Sequence, residues 1–228
     1  MKPEDLKVPF RWEERCILIK DRVWYLPNYY DHYNNFVFPG WNHHDVFGND
    51  NPVYVEYCSG NGAWIAAKAM ENPNINWVAV EKKFERAKKI WSKLKNSELN
   101  NLLVICGEAY KVTAHYFPPQ TVNEIFINFP DPWPKTRHAK HRLIQQAFIQ
   151  QLWSTLQIGH AVNIVTDDPD YSAQVIEEFH KHPGFVSSYP EPYYLTEREN
   201  YGTSFFEEMW REKGKSIRYH RFQRSHES

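Results

Sequence analysis

From about residue 52 the chain alternates short β-rich runs with helix-like stretches, and this alternation narrows the fold more than any other feature. Val53–Cys58 (VYVEYC) is the first run; it breaks at Ser59-Gly60-Asn61-Gly62, and a helix follows. Trp77–Val80 (WVAV) is the second. After it, Phe84, Ala87, Trp91 and Leu94 recur at spacings of three and four, an amphipathic stripe backed by Lys82, Lys83, Lys88, Lys89, Lys93 and Lys95. Leu102–Cys106, Glu124–Phe129 and Ala161–Val165 supply three more predicted strands. A helix is expected from about Ala139 to Leu156, because Ile144, Phe148, Leu152 and Leu156 fall on every fourth residue. Tyr171–His180 reads as the next helix, and Phe185–Tyr189 and Ser216–Phe222 as two late strands. Such an order implies crossover units: an α/β fold with a mostly parallel central sheet and helices on both faces. Sheets of this kind bind ligands beyond the carboxyl ends of their strands, so the residues just after each strand are the place to look.

The 228 residues suit one sizeable α/β core. No apolar run approaches the ~18–20 residues of a membrane span. The opening MKPEDLKVPFRWEER is charged and lacks the apolar stretch of a signal peptide, so a cytoplasmic location is expected. Cys16, Cys58 and Cys106 form no C-x-x-C, and neither disulfides nor a zinc site is expected. None of the histidines falls in H-E-x-x-H; His43, His44, His138 and His141 read as surface residues, and no metal is expected. A net charge of −1 argues mildly against a nucleic-acid partner, but the distribution of charge decides that question. Residues 24–41 hold Trp24, Tyr25, Tyr29, Tyr30, Tyr33, Phe36, Phe38 and Trp41. These can stack on bases or cover a core, and packing is the preferred reading.

The glycine turn Ser59-Gly60-Asn61-Gly62 lets backbone approach a ligand, with a helix N-terminus behind it. Glu81 ends the second strand, 19 residues after Gly62. An acid there can accept hydrogen bonds from the ribose hydroxyls of an adenosine cofactor; a solvated carboxylate opening a helix would look the same. A dinucleotide fingerprint wants a third glycine where Ile65 stands. S-adenosylmethionine has no phosphate and tolerates that departure. Glu56 could help fix its amino-acid end, and Glu108, just after the third strand, its adenine amino group.

After the fourth strand comes Asn128-Phe129-Pro130-Asp131-Pro132-Trp133-Pro134-Lys135. Three alternate prolines stiffen this segment and hold Asp131 in a defined direction. Lys135-Thr136-Arg137-His138-Ala139-Lys140-His141-Arg142 follows, a cationic cluster able to grip phosphates, with Arg137, Lys140 and Arg142 as candidate RNA contacts. Thr166-Asp167 follows the fifth strand. Arg211, Lys213, Lys215, Arg218, Arg221 and Arg224 form a second cationic region, part of which can be mere decoration of a strand.

NFPDPWPKTRHAKHRL resembles the signature of the bacterial tRNA (guanine-N7)-methyltransferases, and TDDPDY at 166–171 matches their T-D-x-x-x-Y spacing. GTSFFEE at 202–208 is similar to a looser form of their late T-x-F-E segment. The resemblance implies a Rossmann-like class I methyltransferase fold over residues 51–228, with residues 1–50 as an aromatic-rich extension packed on it. It implies S-adenosylmethionine as cofactor and the guanine at position 46 of the tRNA variable loop as acceptor. Glu56, Glu81, Glu108 and Asp131 would line the cofactor site, with Gly60 and Gly62 in its turn. Asp131 would be catalytic, and Lys135, Asp167, Thr203 and Glu207 would contact the guanine or its surroundings. Three positions depart from the family pattern: Cys58 for the first glycine of E-x-G-x-G-x-G, Glu108 for a usual Asp, and Ser204 for a common Lys.

Guanine N7 carries an in-plane lone pair, so the chemistry asks for orientation and charge stabilisation rather than a general base. Three other readings remain. A small molecule or protein acceptor would make activity insensitive to salt, whereas RNA predicts a steep loss. A nicotinamide-dependent oxidoreductase conflicts with the incomplete glycine pattern. A non-catalytic RNA-binding module would bind tRNA without cofactor. Monomer and homodimer are both open.

Overall fold

The computed structural model describes residues 1–27, 35–134, 136–202 and 204–225. They fall into two compact units, Met1–Pro118 and Pro119–Ser228.

The first unit holds strands β1 (Leu18–Lys20), β2 (Val23–Tyr25), β3 (Val53–Tyr57), β4 (Asn76–Glu81) and β5 (Leu102–Cys106), side by side in the order β1-β2-β5-β4-β3. Helices α1 (Ala63–Glu71), α2 (Phe84–Asn96) and α3 (Ala109–Tyr116) follow β3, β4 and β5 in turn. The β3, β4 and β5 strands are parallel, with Val55 opposite Val78 and Val78 opposite Leu103. Every residue of β4 is buried, which is why it reads as a continuous apolar run and not as an alternating one. Of the predicted stripe on α2, Ala87, Trp91 and Leu94 are buried, joined by Ile90, while Phe84 at the helix start is half-buried.

Two strands were not expected from the sequence. β1 and β2 form a hairpin around Asp21 and Arg22, both left-handed at φ 53° and 66°, as tight two-residue hairpin turns require. β2 then pairs parallel with β5, Trp24 opposite Ile105. Trp24 is fully buried and stacks on Phe38 with ring centroids 4.7 Å apart. A buried side chain of this size contributes roughly 2–3 kcal/mol. Tyr29, Tyr30 and Tyr33 lie outside the described residues.

The second unit holds β6 (Val122–Asn128), β7 (Leu156–Thr166), β8 (Phe185–Ser187) and β9 (Arg218–Arg224), in the order β6-β7-β9-β8. β6 and β7 are parallel; β9 runs antiparallel to both of its neighbours. Helices α4 (Gln146–Thr155), α5 (Pro169–His180) and α6 (Phe205–Glu212) complete it. The helix expected over Ala139–Leu156 is corrected at both ends. Residues Thr136–His141 form a 3-10 turn, and Gln145 is extended at φ −138° and ψ 158°, so α4 begins only at Gln146. Leu156, with ψ 142°, opens β7 instead of closing the helix. Ile144 is buried all the same, its N–H bonded to the Tyr171 hydroxyl at 3.2 Å. α5 starts where Asp168 accepts the Tyr171 N–H at 2.7 Å and Pro169 sets the first turn.

Candidate active site

In the first unit the site is built at the end of β3. Cys58, Gly60 and Gly62 are all left-handed, at φ 60°, 57° and 73°. At Gly62 a side chain is excluded twice over: by this φ, and because a Cβ would stand 2.7 Å from Ile90 Cγ1 of α2. The turn is closed by Ser59 Oγ donating to Glu56 O at 2.9 Å and by Gly62 N–H donating to Ser59 O at 2.9 Å. Glu81, ending β4, is 5% exposed and reaches the same turn: its Oε2 accepts the Gly60 N–H at 3.0 Å. Its Oε1 accepts the Lys83 N–H at 2.9 Å, and Arg86 stands 4.0 Å away. Glu56 is 2% exposed at the end of β3. Burial, then Glu81 and Glu56, push the Cys58 thiol up to about 12, so it is an uncharged group at neutral pH. Glu108 is exposed and stands immediately before α3.

The donor set of S-adenosylmethionine (a ribose diol, an ammonium and an adenine amino group) matches residues that only accept. A carboxylate has about four lone-pair positions, and the two backbone bonds to Glu81 leave room for ribose hydroxyls. The acidic residues of this unit therefore fit the group.

In the second unit Asn128 closes β6 and is followed by a rigid loop. Phe129 and Trp133 are left-handed at φ 50° and 42° and bracket Pro130-Asp131-Pro132. Strained backbone of this kind persists only where its surroundings hold it. The restraints are visible. Phe129 N–H bonds Val165 O at 2.9 Å, Asp131 Oδ1 accepts the Trp133 N–H at 3.2 Å, and Tyr201 donates to Asn128 Oδ1 at 2.6 Å. Asp131 itself is exposed. Asp167, just after β7, is ion-paired with Lys215, with 10% of its side chain exposed.

Two of the expected contact residues are buried and bonded within the protein. Arg142 is not a surface cation; it is 8% exposed, its Nε donating to Pro132 O at 2.7 Å and its guanidinium 5.1 Å from the Tyr171 ring. A second bond runs to Gln174 Oε1. Arg142 therefore braces the Asp131 loop. Glu207 is 4% exposed, and its Oε1 accepts from Tyr219 and Arg211, which commits it to holding α6 on β9. Arg137 and Lys140 are exposed on the 3-10 turn. Lys135 and Thr203 lie outside the described residues. The His43-His44 pair sits on a surface turn, its rings 3.6 and 3.4 Å from Asp45 oxygens. Tyr201 was not singled out from the sequence, and Lys215 was read there only as one member of the second cationic region.

Residues 50–219 match a family described as putative methyltransferase. The chain is 46% identical over 219 residues to the tRNA (guanine-N(7)-)-methyltransferase of Chlamydia trachomatis, covering 95% of each protein. It is 47% identical over 222 residues to that of Chlamydia felis, covering 97% of each. Among solved structures, 16S rRNA methyltransferase KamB superposes with a TM-score of 0.55 at 16% identity, covering 77% of this chain and 89% of that one. An rRNA methylase from Streptococcus thermophilus gives 0.54 at 13% identity, covering 78% and 89%. At these identities the structural likeness speaks for fold, the Rossmann-like α/β fold of class I methyltransferases. With a family match over most of its length and relatives this similar over nearly all of it, the chain belongs to the tRNA (guanine-N7)-methyltransferase family.

Proposed function

We propose that this protein transfers the methyl group of S-adenosylmethionine to N7 of the guanine at position 46 of tRNA, and that it does so in the cytoplasm. The observation that carries the reading is the Asp131 loop: an exposed carboxylate held between two left-handed residues and braced from beneath by Arg142. A connection with no task would not store such strain.

S-adenosylmethionine supplies an electrophilic methyl group. Glu81 would hold its ribose, Glu56 its amino-acid end and Glu108 its adenine, with Gly60 and Gly62 giving close backbone approach. Asp131 would accept hydrogen bonds from the guanine and stabilise the positive charge that the ring acquires. Asp167 assists at the guanine, and Lys135 and Thr203 at its surroundings. Arg137 and Lys140 contact phosphates, which position the RNA without reading sequence. The residues 51–228 form the methyltransferase domain in this reading, and 1–50 an extension that completes its core.

The test is methyl transfer from labelled cofactor to unmodified tRNA transcripts, followed by chemical cleavage at N7-methylguanine. Label at one guanine in the variable loop is the expected result. Label at another guanine would overturn the position and keep the reaction, and no label would overturn both.

A further inference from the structure

Asp167 is nearly buried, yet its carboxylate already has a cation: Lys215 Nζ is paired with its Oδ2. The place of that lysine is fixed by local structure. Helix α6 ends at Glu212; Gly214 follows in the left-handed conformation, φ 73°. The Gly214 N–H bonds Arg211 O at 2.9 Å, and the Lys215 N–H bonds Trp210 O at 3.0 Å. This pair of bonds is a Schellman termination, which turns the chain back over the last helical turn. Lys215 Nζ is thereby set 3.6 Å from the centroid of the Trp210 ring. A side chain that is ordinarily mobile is held at its backbone and, at its ammonium, by both the indole and the Asp167 carboxylate. Lys213, on the other side of Gly214, lies over the same indole at 4.7 Å but is paired with no carboxylate among the described residues.

We propose that Lys215 is a positioning residue for the methyl transfer. It fixes Asp167 by one oxygen, so that the remaining lone pairs meet the N1–H and N2–H edge of the guanine. This rests on the function proposed above. Guanine presents two adjacent donors on that edge, and one carboxylate can accept both. The ring becomes positive as N7 is methylated, so an acceptor held there stabilises charge as it develops. Displacement of such a group by 1 Å costs on the order of 100-fold in rate. Phosphate binding is the other use of an exposed lysine. The pairing with Asp167 argues against it, because an ammonium already neutralised inside the protein adds little to counterion release.

The experiment measures kcat and KM of the full chain with unmodified tRNA and labelled cofactor. Lys215→Met keeps an unbranched apolar side chain of similar length and deletes the charge. A fall in kcat of about 10–100-fold is expected, with KM for tRNA changed less than about threefold, and Lys215→Arg recovering most of the loss. Asp167→Asn and the double variant Asp167→Asn/Lys215→Met should turn over within about twofold of each other, since Lys215 acts only through Asp167. Lys213→Met should stay near wild type. If Lys215→Met melts early, Lys215→Gln, which is uncharged and one bond too short to reach Asp167 as the lysine does, takes its place with the same pattern expected. Multiplicative losses in the double variant would overturn the proposal. So would a wild-type kcat in Lys215→Met, or a binding slope against salt shallower by about one unit, which marks a phosphate contact. Wild-type protein that transfers no methyl to tRNA would overturn the function and this inference together; wild-type transfer unaffected by Lys215→Met overturns this inference alone.

Discussion

Glu81 Oε2 accepts the backbone N–H of Gly60 at 3.0 Å, so the residue that closes β4 also anchors the turn that follows β3. One side chain thus ties the glycine turn to the neighbouring strand and leaves lone pairs for a ligand. Glu81→Gln keeps one acceptor and loses the charge. Hydrogen bonds to a charged acceptor contribute about 1.5–3 kcal/mol. Cofactor affinity should therefore fall at least about tenfold, and the melting temperature by several degrees. Isothermal titration with S-adenosylmethionine checks the first, and unchanged affinity would remove Glu81 from the ribose.

Two substitutions in that turn should act with opposite sign. Gly62→Ala meets both a φ of 73° and Ile90 at 2.7 Å, and about 2–4 kcal/mol of stability should be lost. In an Ile90→Ala background the steric part disappears, so the same substitution should cost distinctly less. Cys58→Gly, at φ 60°, should instead be neutral or stabilise by up to about 1 kcal/mol. Urea unfolding of the four variants decides both points.

His220 should give the fold an acid limit. It is fully buried, Nδ1 facing Tyr193 O at 3.1 Å and Nε2 facing Ser172 Oγ at 3.0 Å. Burial lowers its pKa from 6.5 to about 4, with Arg218 adding to the effect. The neutral ring is the folded form. Its contribution is complete above pH 6.5 and drains away as pH falls toward 4, by roughly 3 kcal/mol in all. Unfolding free energies measured across that range should show the slope in wild type and lose most of it in His220→Gln.

Arg142→Ala separates bracing from RNA contact. Loss of the bonds to Pro132 O and Gln174, and of packing on Tyr171, should cost about 2–4 kcal/mol and lower turnover. The slope of tRNA binding against salt should not change. By contrast, Lys140→Ala should lower that slope by about one unit. A shallower slope in Arg142→Ala would return it to the RNA surface.

The strands that carry the site, β3 to β7, were legible because buried parallel strands are written as short apolar runs ended by chemistry-bearing residues. The glycine turn and the proline loop were legible for the same reason, since their backbone demands restrict residue type. The rest depended on partners distant in sequence. Leu18–Lys20 and Val23–Tyr25 are too short to show a period; Val23–Tyr25 is a strand because β5 is there to pair with, and Leu18–Lys20 because it pairs in turn with Val23–Tyr25. The four-residue spacing of Ile144, Phe148, Leu152 and Leu156 is genuine burial, but it joins a loop residue, a helix and the start of a strand. Arg142 looked like one more cation in a basic run. The carbonyl of Pro132, the amide of Gln174 and the ring of Tyr171 distinguish it from Lys140.

The pairing of Trp24 with Ile105 spans about eighty residues of chain. During synthesis, at roughly 5–20 residues per second, the first hairpin leaves the ribosome some 4–16 s before the strand it must lie against. Until then Trp24 and its neighbouring rings have no core to enter. The segment is thus a latecomer to the native state although it is made before β5, and until β5 follows it carries its aromatic rings unburied.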